Sequence, residues 1–481
     1  MKNATSIEQE CIRRRDVRDM FTFTIDPADA KDFDDALSFV KLDDETFQIG
    51  VHIADVSFYV QPGDDNDKRA YEKGTSTYYV DHVDPMLPEE LCNDLCSLRP
   101  NEDKLCMSVI FNMDASARVH KYKVCRTVIR SDFRLSYEQA QDIISNIQSP
   151  ISNNLSAALH TLNALAHKLR ADRMAAGALD IEQEEPQFIL DEHGHPTDIY
   201  FKKPTDANHL IEEFMLLANR TIATEMAKRG KEFVYRVHDK PDQEKLANVA
   251  RFEKHFGDKI PSSVIEMLTI RAMAKAVYST KNIGHYGLAF DYYTHFTSPI
   301  RRYPDLMVHR LVARYILGER SRDAMHSVSP DGRPLDLEDA CRHCSDTEQL
   351  AQQAERDSVK TMMAIWMHDH LGEQFDGTIS GVTDFGIFVQ LDGNRCEGLI
   401  HINDLVPNDY MLYDEKNYRL IAQESGKTFT LGDRLRVIVT RADIDKHQID
   451  FSLASNALAD LEPAPKKSHT PKQPKKKSRR R

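Results

Sequence analysis

The chain has 481 residues, 41% of them hydrophobic and 29% charged, with a formal net charge of −13. That is the balance of a soluble globular protein with room for roughly two to four domains. Its longest apolar runs fall far short of a membrane span, Met1–Arg15 lacks the apolar stretch of a secretory signal, and eight thinly spread cysteines do not make a secreted disulfide framework; the expectation is a cytoplasmic monomer with reduced thiols and no membrane segment.

Residues 1–20 read as a linker. The apolar, β-prone run Phe21-Thr22-Phe23-Thr24-Ile25 then leads into an acidic stretch, and Ala36-Leu37-Ser38-Phe39-Val40 follows, giving strand, acidic loop, strand. Asp26, Asp32, Asp34 and Asp35 crowd into this loop, and carboxylates so close repel one another unless a cation neutralises them. Pro27 and Phe33 stand where a merely solvated loop would carry glycine, serine and lysine. Oxygen ligands of this kind suit a hard divalent ion such as Mg2+. An EF-hand is excluded, because counting from Asp26 its glycine and glutamate positions hold Lys31 and Leu37. A catalytic Mg2+ site for phosphoryl chemistry, a structural Ca2+ loop and a metal-free acidic turn remain open on the residues alone.

β-type runs and turns alternate to about residue 135, as in Gln48–Val56. Leu155, Ala158, Leu162, Leu165 and Leu169 then keep helical spacing up to Gly177, and Leu210, Phe214, Leu217 and Thr221 mark a second helix closed by Gly230. Pro261 opens a third. Thr297-Ser298-Pro299 reads as a helix start running toward Gly318, and Ser345-Asp346-Thr347-Glu348 reads as a capping box that opens a long helix through Trp366 to Gly372. Cys341-Arg342-His343-Cys344, with Cys92 and Cys96 as a distant second pair, invites a zinc reading, but reduced thiols at a helix entry explain it better. Beyond Gly372 come five short strands, at 375–379, 386–391, 398–402, 434–439 and 448–453, the pattern of a small OB-type barrel. Nine basic and no acidic residues lie between Lys466 and Arg481, leaving 54 basic against 76 acidic residues in the rest of the chain. A basic, proline-punctuated tail of this kind is expected to be disordered and to attract polyanions.

The acidic segment resembles the signature of the ribonuclease II/ribonuclease R family, the RNB exoribonucleases. The resemblance, strongest to the ribonuclease R branch, continues in His52–Ser57, Pro85–Glu89, Leu210–Leu216, Tyr235–Asp239 and His295–Leu306. Residues 372–454 are similar to an S1 RNA-binding domain, with Asp384–Val389 and Gly398–His401 in the expected places. The implied fold is α+β: a mixed RNB catalytic domain at 21–371, an all-β S1 barrel at 372–454 and a basic tail at 455–481. Members of the family usually carry two cold-shock domains ahead of the catalytic domain, and this chain begins where those would end.

The resemblance implies hydrolysis of single-stranded RNA from its 3′ end to nucleoside 5′-monophosphates, assisted by Mg2+, with no protein partner required. By resemblance Asp26, Asp32, Asp34 and Asp35 hold metal, and Asp34 is the carboxylate most directly tied to the chemistry. Arg301 answers the charge of the pentacoordinate phosphate. A position in the first turn after Pro299 would add the pull of a helix N-terminus. Tyr78 matches the tyrosine that stacks on the terminal base, Glu213 a residue that contacts the terminal ribose, and Glu355 a glutamate beside the arginine. Phe385, Phe388 and His401 are the single-strand contacts expected of the S1 barrel. Where the family commonly has an aromatic, in the segment Gly177–Glu182, this chain has Ile181. The competing readings are a catalytically silent RNA-binding scaffold, and an acidic Ca2+-binding protein, which leaves Arg301 and the S1 region unexplained.

Overall fold

The computed structural model describes residues 4–146, 152–179, 184–256, 265, 268–270, 272–319 and 336–454. Ile181, Pro261 and the basic tail lie outside them. The chain divides into two compact units, one made of residues 1–187, 201–243 and 272–359, the other of 188–200, 244–271 and 360 onward. No helix among the described residues is long and apolar enough to cross a membrane.

The first unit is built on a seven-stranded sheet. Its strands are β1 (Arg15–Asp16), β2 (Thr22–Asp26), β3 (Asp35–Lys41), β4 (Thr46–Ala54), β7 (Asp103–Asp114), β8 (Val119–Arg130) and β9 (Phe133–Ser136), with the short pair β5 (Thr77–Tyr78) and β6 (Val83–Asp84) outside it. The order is β1-β8-β7-β4-β3-β2-β9, antiparallel throughout except for the two edge pairs, β1 with β8 and β2 with β9. The predicted strand–acidic loop–strand is therefore present, as β2 and β3. Central β4 is buried along nearly its whole length, because helices pack over the sheet. Helix Asn153–Ala175 buries Leu155, Ala158, Leu162 and Leu165 of the predicted stripe and leaves Leu169 half-buried, whereas helix Asp206–Lys228 buries Leu210 and Phe214 and then Ala218 and Ile222, so that the predicted Leu217 and Thr221 lie one position off the buried stripe and are only half-buried. A layer of buried polar groups lies in the sheet itself. His52 sits between Ser38 Oγ at 2.8 Å and Ser108 Oγ at 2.7 Å. A Cβ on neighbouring Gly50 would come within 2.4 Å of the His52 ring and Ser38, so only glycine fits there.

Asp55, just past the end of β4, is a fully buried charge of this unit. It accepts from Arg14 Nη1 at 2.6 Å and from Ser57 Oγ at 2.7 Å, and it also pairs with the Arg126 guanidinium. Burial alone would raise its pKa, yet Arg126 and Arg14 hold it well below the usual carboxylate range. Asp55→Asn leaves two guanidinium groups short of a counter-charge and is expected to cost about 3–5 kcal/mol, read as a lower midpoint in urea unfolding at pH 7. Because the folded value is depressed, the wild-type contribution is complete above about pH 4 and is lost as pH falls further. The gap between the two proteins should therefore narrow in acid.

Two predicted helix starts are wrong, for the same physical reason. The long helix runs Leu337–His368, so Ser345 lies within it rather than at its cap. The Ser345 hydroxyl accepts from Tyr278 N at 2.9 Å and donates to Cys341 O at 2.8 Å. The helix expected from Pro299 begins only at Tyr303, with Arg302 as its N-cap and Pro304 in its first turn. Capping chemistry read from sequence was in both cases spent on tertiary hydrogen bonds.

In the second unit Gln374–Val382, Gly386–Leu391, Glu397–His401, Arg434–Asp443 and Gln448–Leu453 close into a five-stranded barrel. All five predicted strands are there. A three-stranded sheet, Met411–Asp414, Arg419–Ala422 and Thr428–Thr430, is added between the third and fourth and was not foreseen.

Candidate active site

β2 ends on Asp26 and β3 begins on Asp35, and the two strands are antiparallel neighbours, so both carboxylates emerge at one end of the sheet. The connecting loop is pegged from several sides. Phe33 N donates to Ser97 Oγ at 3.1 Å, Ser97 Oγ donates to Lys31 O at 2.7 Å, and Ala54 N donates to Asp34 O at 2.9 Å. Arg134 Nη2 donates to Pro27 O at 2.6 Å and Ala28 O at 2.9 Å, with its guanidinium over the buried Phe33 ring. Pro27 and Phe33 thus fix the loop, as their presence in an acidic stretch suggested.

The electrostatics of the loop are unfavourable on their own. Burial pushes the Asp26, Asp34 and Asp35 carboxyls well above their usual range, and the Asp35 charge adds to the effect on Asp26. Asp32 is raised as well, again mainly by burial. Asp26 Oδ2 is buried with no hydrogen-bond partner. Among the described residues no three carboxylate, histidine or cysteine side chains converge as a finished metal cage. The four aspartates are apportioned instead. Asp26 faces Asp35, Asp32 faces the Tyr78 hydroxyl, and Asp34 turns toward Arg301. An orphaned buried carboxylate oxygen beside a second desolvated carboxylate still fits a hard divalent cation, which would supply the missing charge.

The third component arrives on a ribbon. Gly74, at φ 68°, ends helix Asp65–Lys73 and turns the chain back. The next residues run antiparallel to 301–303: Tyr303 N donates to Gly74 O at 2.9 Å, Ser76 N to Arg301 O at 2.9 Å and Thr75 Oγ1 to Arg301 O at 3.0 Å. This zipper sets Tyr78 and Arg301 side by side. On the other strand of the junction, Ile300 N donates to Asp34 Oδ1 at 2.9 Å, and Arg301 Nε lies 3.5 Å from Asp34 Oδ2. Asp34 and Tyr78 therefore meet Arg301, which lies more than 200 residues further along the chain. Tyr78 remains 37% exposed, which leaves ring surface for a ligand to stack upon.

The remaining predicted residues divide. Glu355 Oε1 accepts from Tyr78 N at 3.1 Å, so it meets the tyrosine's backbone, and Ser358 Oγ does the same for Val80 N at 3.0 Å. Glu213 is buried, and its Oε1 accepts from Arg173 Nε at 3.2 Å. It lines a cavity of about 600 Å³ with Arg173, Arg220 and Phe290, which none of the four aspartates enters. Arg301 precedes the helix at 303 rather than occupying its first turn, so it owes its place to the loop and not to a helix N-terminus. On the barrel of the second unit, Phe385 is 46% exposed and meets Phe388 edge-on at 6.1 Å. Phe388 and Gln390 point outward while Ile387, Val389 and Leu391 fill the interior. His401, opposite Gly386, is on the same outer face. Sequence reasoning missed Ser97, Arg134, Ser298 and Tyr137, the last of which sits against Asp35 and Asp26. Ser97, Arg134 and Tyr137 have no local signal, because each acts across a long stretch of chain; Ser298 acts on near neighbours in sequence, Arg301 and Asp305, and reads from sequence only as the approach to a helix.

Comparison with known proteins places this geometry. Residues 14–318 match the model of the RNB domain, and residues 369–454 that of the S1 RNA binding domain. Ribonuclease R of Aquifex aeolicus is 38% identical over 93% of this chain and 66% of its own length. Ribonuclease R of Thermotoga maritima is 40% identical over 93% and 66%, and that of Escherichia coli 36% over 93% and 58%. The chain thus spans less than two thirds of the length of these curated relatives. The solved RNase R of Mycoplasma genitalium, in complex with ribose-methylated single-stranded RNA, superposes with a TM-score of 0.84 at 28% identity, covering 94% of this chain and 76% of that one. The fold is also similar to that of yeast Ssd1, a pseudonuclease, with a TM-score of 0.66 at 22% identity, covering 87% and 54%. Fold alone therefore does not decide whether such a chain is active; the side chains must.

Proposed function

The chain belongs to the RNB family, and from that premise we propose that it is a hydrolytic exoribonuclease that shortens single-stranded RNA from the 3′ end and releases nucleoside 5′-monophosphates. The observation that carries this reading is the junction of Asp34, Arg301 and Tyr78 at the mouth of a buried carboxylate nest. The ribonuclease R relatives and the RNA-bound neighbour support it. In this reading the Tyr78 ring takes the terminal base without regard to its identity, and the Arg301 guanidinium lies against the phosphodiester under attack. Asp34, held by Ile300 N and facing Arg301, is the carboxylate at the reacting centre. Asp26, Asp35 and Asp32 would hold Mg2+, which when bound polarises the phosphate and lowers the pKa of its water. Glu355 orients Tyr78 through its backbone, and Glu213, in the cavity it shares with Arg173 and Phe290, is the residue that the resemblance assigns to the terminal ribose. The cell compartment proposed is the cytoplasm, and the working form a monomer.

The deciding experiment incubates the protein with 3′- and 5′-labelled single-stranded RNA in Mg2+ or EDTA. The expected result is mononucleotide from the 3′ label at once, a shrinking ladder from the 5′ label, and neither in EDTA. RNA bound but never shortened would replace this reading with that of a silent scaffold.

The barrel supplies a separate prediction. Phe385→Ala removes an exposed ring beside Phe388 and His401, and stacking on such a ring is worth about 1–3 kcal/mol per base. Binding of a long single strand should weaken by that amount, while a short oligonucleotide confined to the catalytic unit should turn over normally. Equal loss on both lengths would remove the barrel face from the RNA path.

A further inference from the structure

Arg301 is 40% exposed at its side chain, and an arginine that open to solvent keeps much of its rotamer freedom unless something holds it. Among the described residues its guanidinium makes one hydrogen bond, from Nη2 to Ser298 Oγ at 3.0 Å. The contact with Asp34, Nε to Oδ2 at 3.5 Å, is an ion pair without hydrogen-bond geometry, and a phosphate group would compete for the same guanidinium. The Ser298 hydroxyl engages Nη2 alone, which leaves the other N–H groups of the guanidinium for a phosphate.

Ser298 is itself immobile. It is buried, and its backbone N donates to Asp305 Oδ1 at 2.8 Å. Asp305, fully buried, is gripped in turn by Arg302 through Nε at 2.9 Å and Nη2 at 2.8 Å. From the other side Asn219 Oδ1 accepts Phe296 N at 2.8 Å, and Asn219 Nδ2 reaches Thr297 Oγ1 at 3.4 Å. Two helices thus anchor the segment. The ordinary use of a serine here, capping the next helix, is not taken up: the cap is Arg302, with no side-chain cap bond.

We propose that Ser298 is a positioning residue whose hydroxyl fixes the Arg301 guanidinium in the orientation needed to meet the scissile phosphate. This rests on the exoribonuclease reading above. The Asp305–Arg302 pair supplies the rigid base, Ser298 the fixed acceptor and Arg301 the working group, so the electrostatic partner of the phosphate is oriented before RNA arrives.

Ser298→Ala deletes the acceptor and keeps the backbone bond to Asp305. The single-turnover rate on a short 3′-labelled RNA should fall about ten- to a hundredfold, with affinity for the same RNA in EDTA unchanged. In an Arg301→Ala background the same substitution should add nothing, since the group it orients is gone. A wild-type rate in Ser298→Ala overturns the proposal, and so does a further loss of equal size in the Arg301→Ala background, which would mean that Ser298 supports the fold rather than the arginine. A readout independent of turnover separates this from failure of the functional reading. The Arg301 Nε–Hε NMR signal, assigned by its disappearance in Arg301→Lys, should be ordered in the wild type and mobile in Ser298→Ala. An equally ordered signal in both overturns the positioning role even if the wild-type protein degrades no RNA.

Discussion

Arg301→Lys is expected to slow single-turnover hydrolysis by about 10²–10³-fold, the loss seen when a preorganised group facing developing charge is removed. Lysine keeps the positive charge but has no planar fork. It cannot both hold the Ser298 hydroxyl and present parallel donors to a phosphate, as Arg301 can through Nη2 and its remaining N–H groups. Its ammonium can still approach Asp34, so affinity for RNA should change little. The melting temperature should also hold, because the wild-type side chain is 40% exposed and fills no core space. The comparison to make is single-turnover rate at saturating RNA against the dissociation constant in EDTA. A defect confined to the dissociation constant would demote Arg301 to strand positioning.

Asp34→Asn should reduce turnover by at least about 10³-fold, near the upper end for loss of a group that moves protons or stabilises charge at the reacting atoms. The substitution is close to isosteric. The amide oxygen can still accept from Ile300 N, which Asp34 Oδ1 does at 2.9 Å, so the loop should keep its course. What disappears is the negative oxygen facing Arg301. Removing an anion from a site that must admit phosphate lowers repulsion, and RNA binding is expected to be equal or tighter. A near-wild-type rate removes Asp34 from the chemistry; weak binding with a normal rate per bound RNA means that the loop has rearranged.

The parts of this molecule that sequence made legible are those whose signals are local. The acidic loop lies between two runs of strand character because Asp26 and Asp35 are the ends of adjacent strands. The barrel strands alternate inward and outward, and Phe388 falls on the outer face because Ile387 and Val389 must fill the interior. The failures lie where a local signal is overruled by a distant partner. Ser345 looks like a cap and binds Tyr278 N. Thr297 looks like the approach to a helix, and its hydroxyl instead meets Asn219 Nδ2 from another helix. Arg134 and Tyr137 attend the aspartates from about a hundred residues away, with nothing around them in the sequence to announce it. Glu355, which the resemblance sets beside Arg301, is found on Tyr78 N, on the partner strand of the same ribbon.

That ribbon has a consequence for how the protein can change. Gly74–Ser76 and Arg301–Tyr303 share their backbone hydrogen bonds, and Tyr78 and Arg301 ride on opposite plies of it. A shift in either ply displaces both rings of contact together, the one for the base and the one for the phosphate. In the proposed reading, grip on the last nucleotide and speed are therefore pleiotropic traits of one short segment. A library randomised within Gly74–Tyr78 should yield variants in which the two co-vary, whereas Ser298, bonded to the arginine, and Glu355, bonded to the tyrosine's backbone, are the positions from which selection can move one without the other.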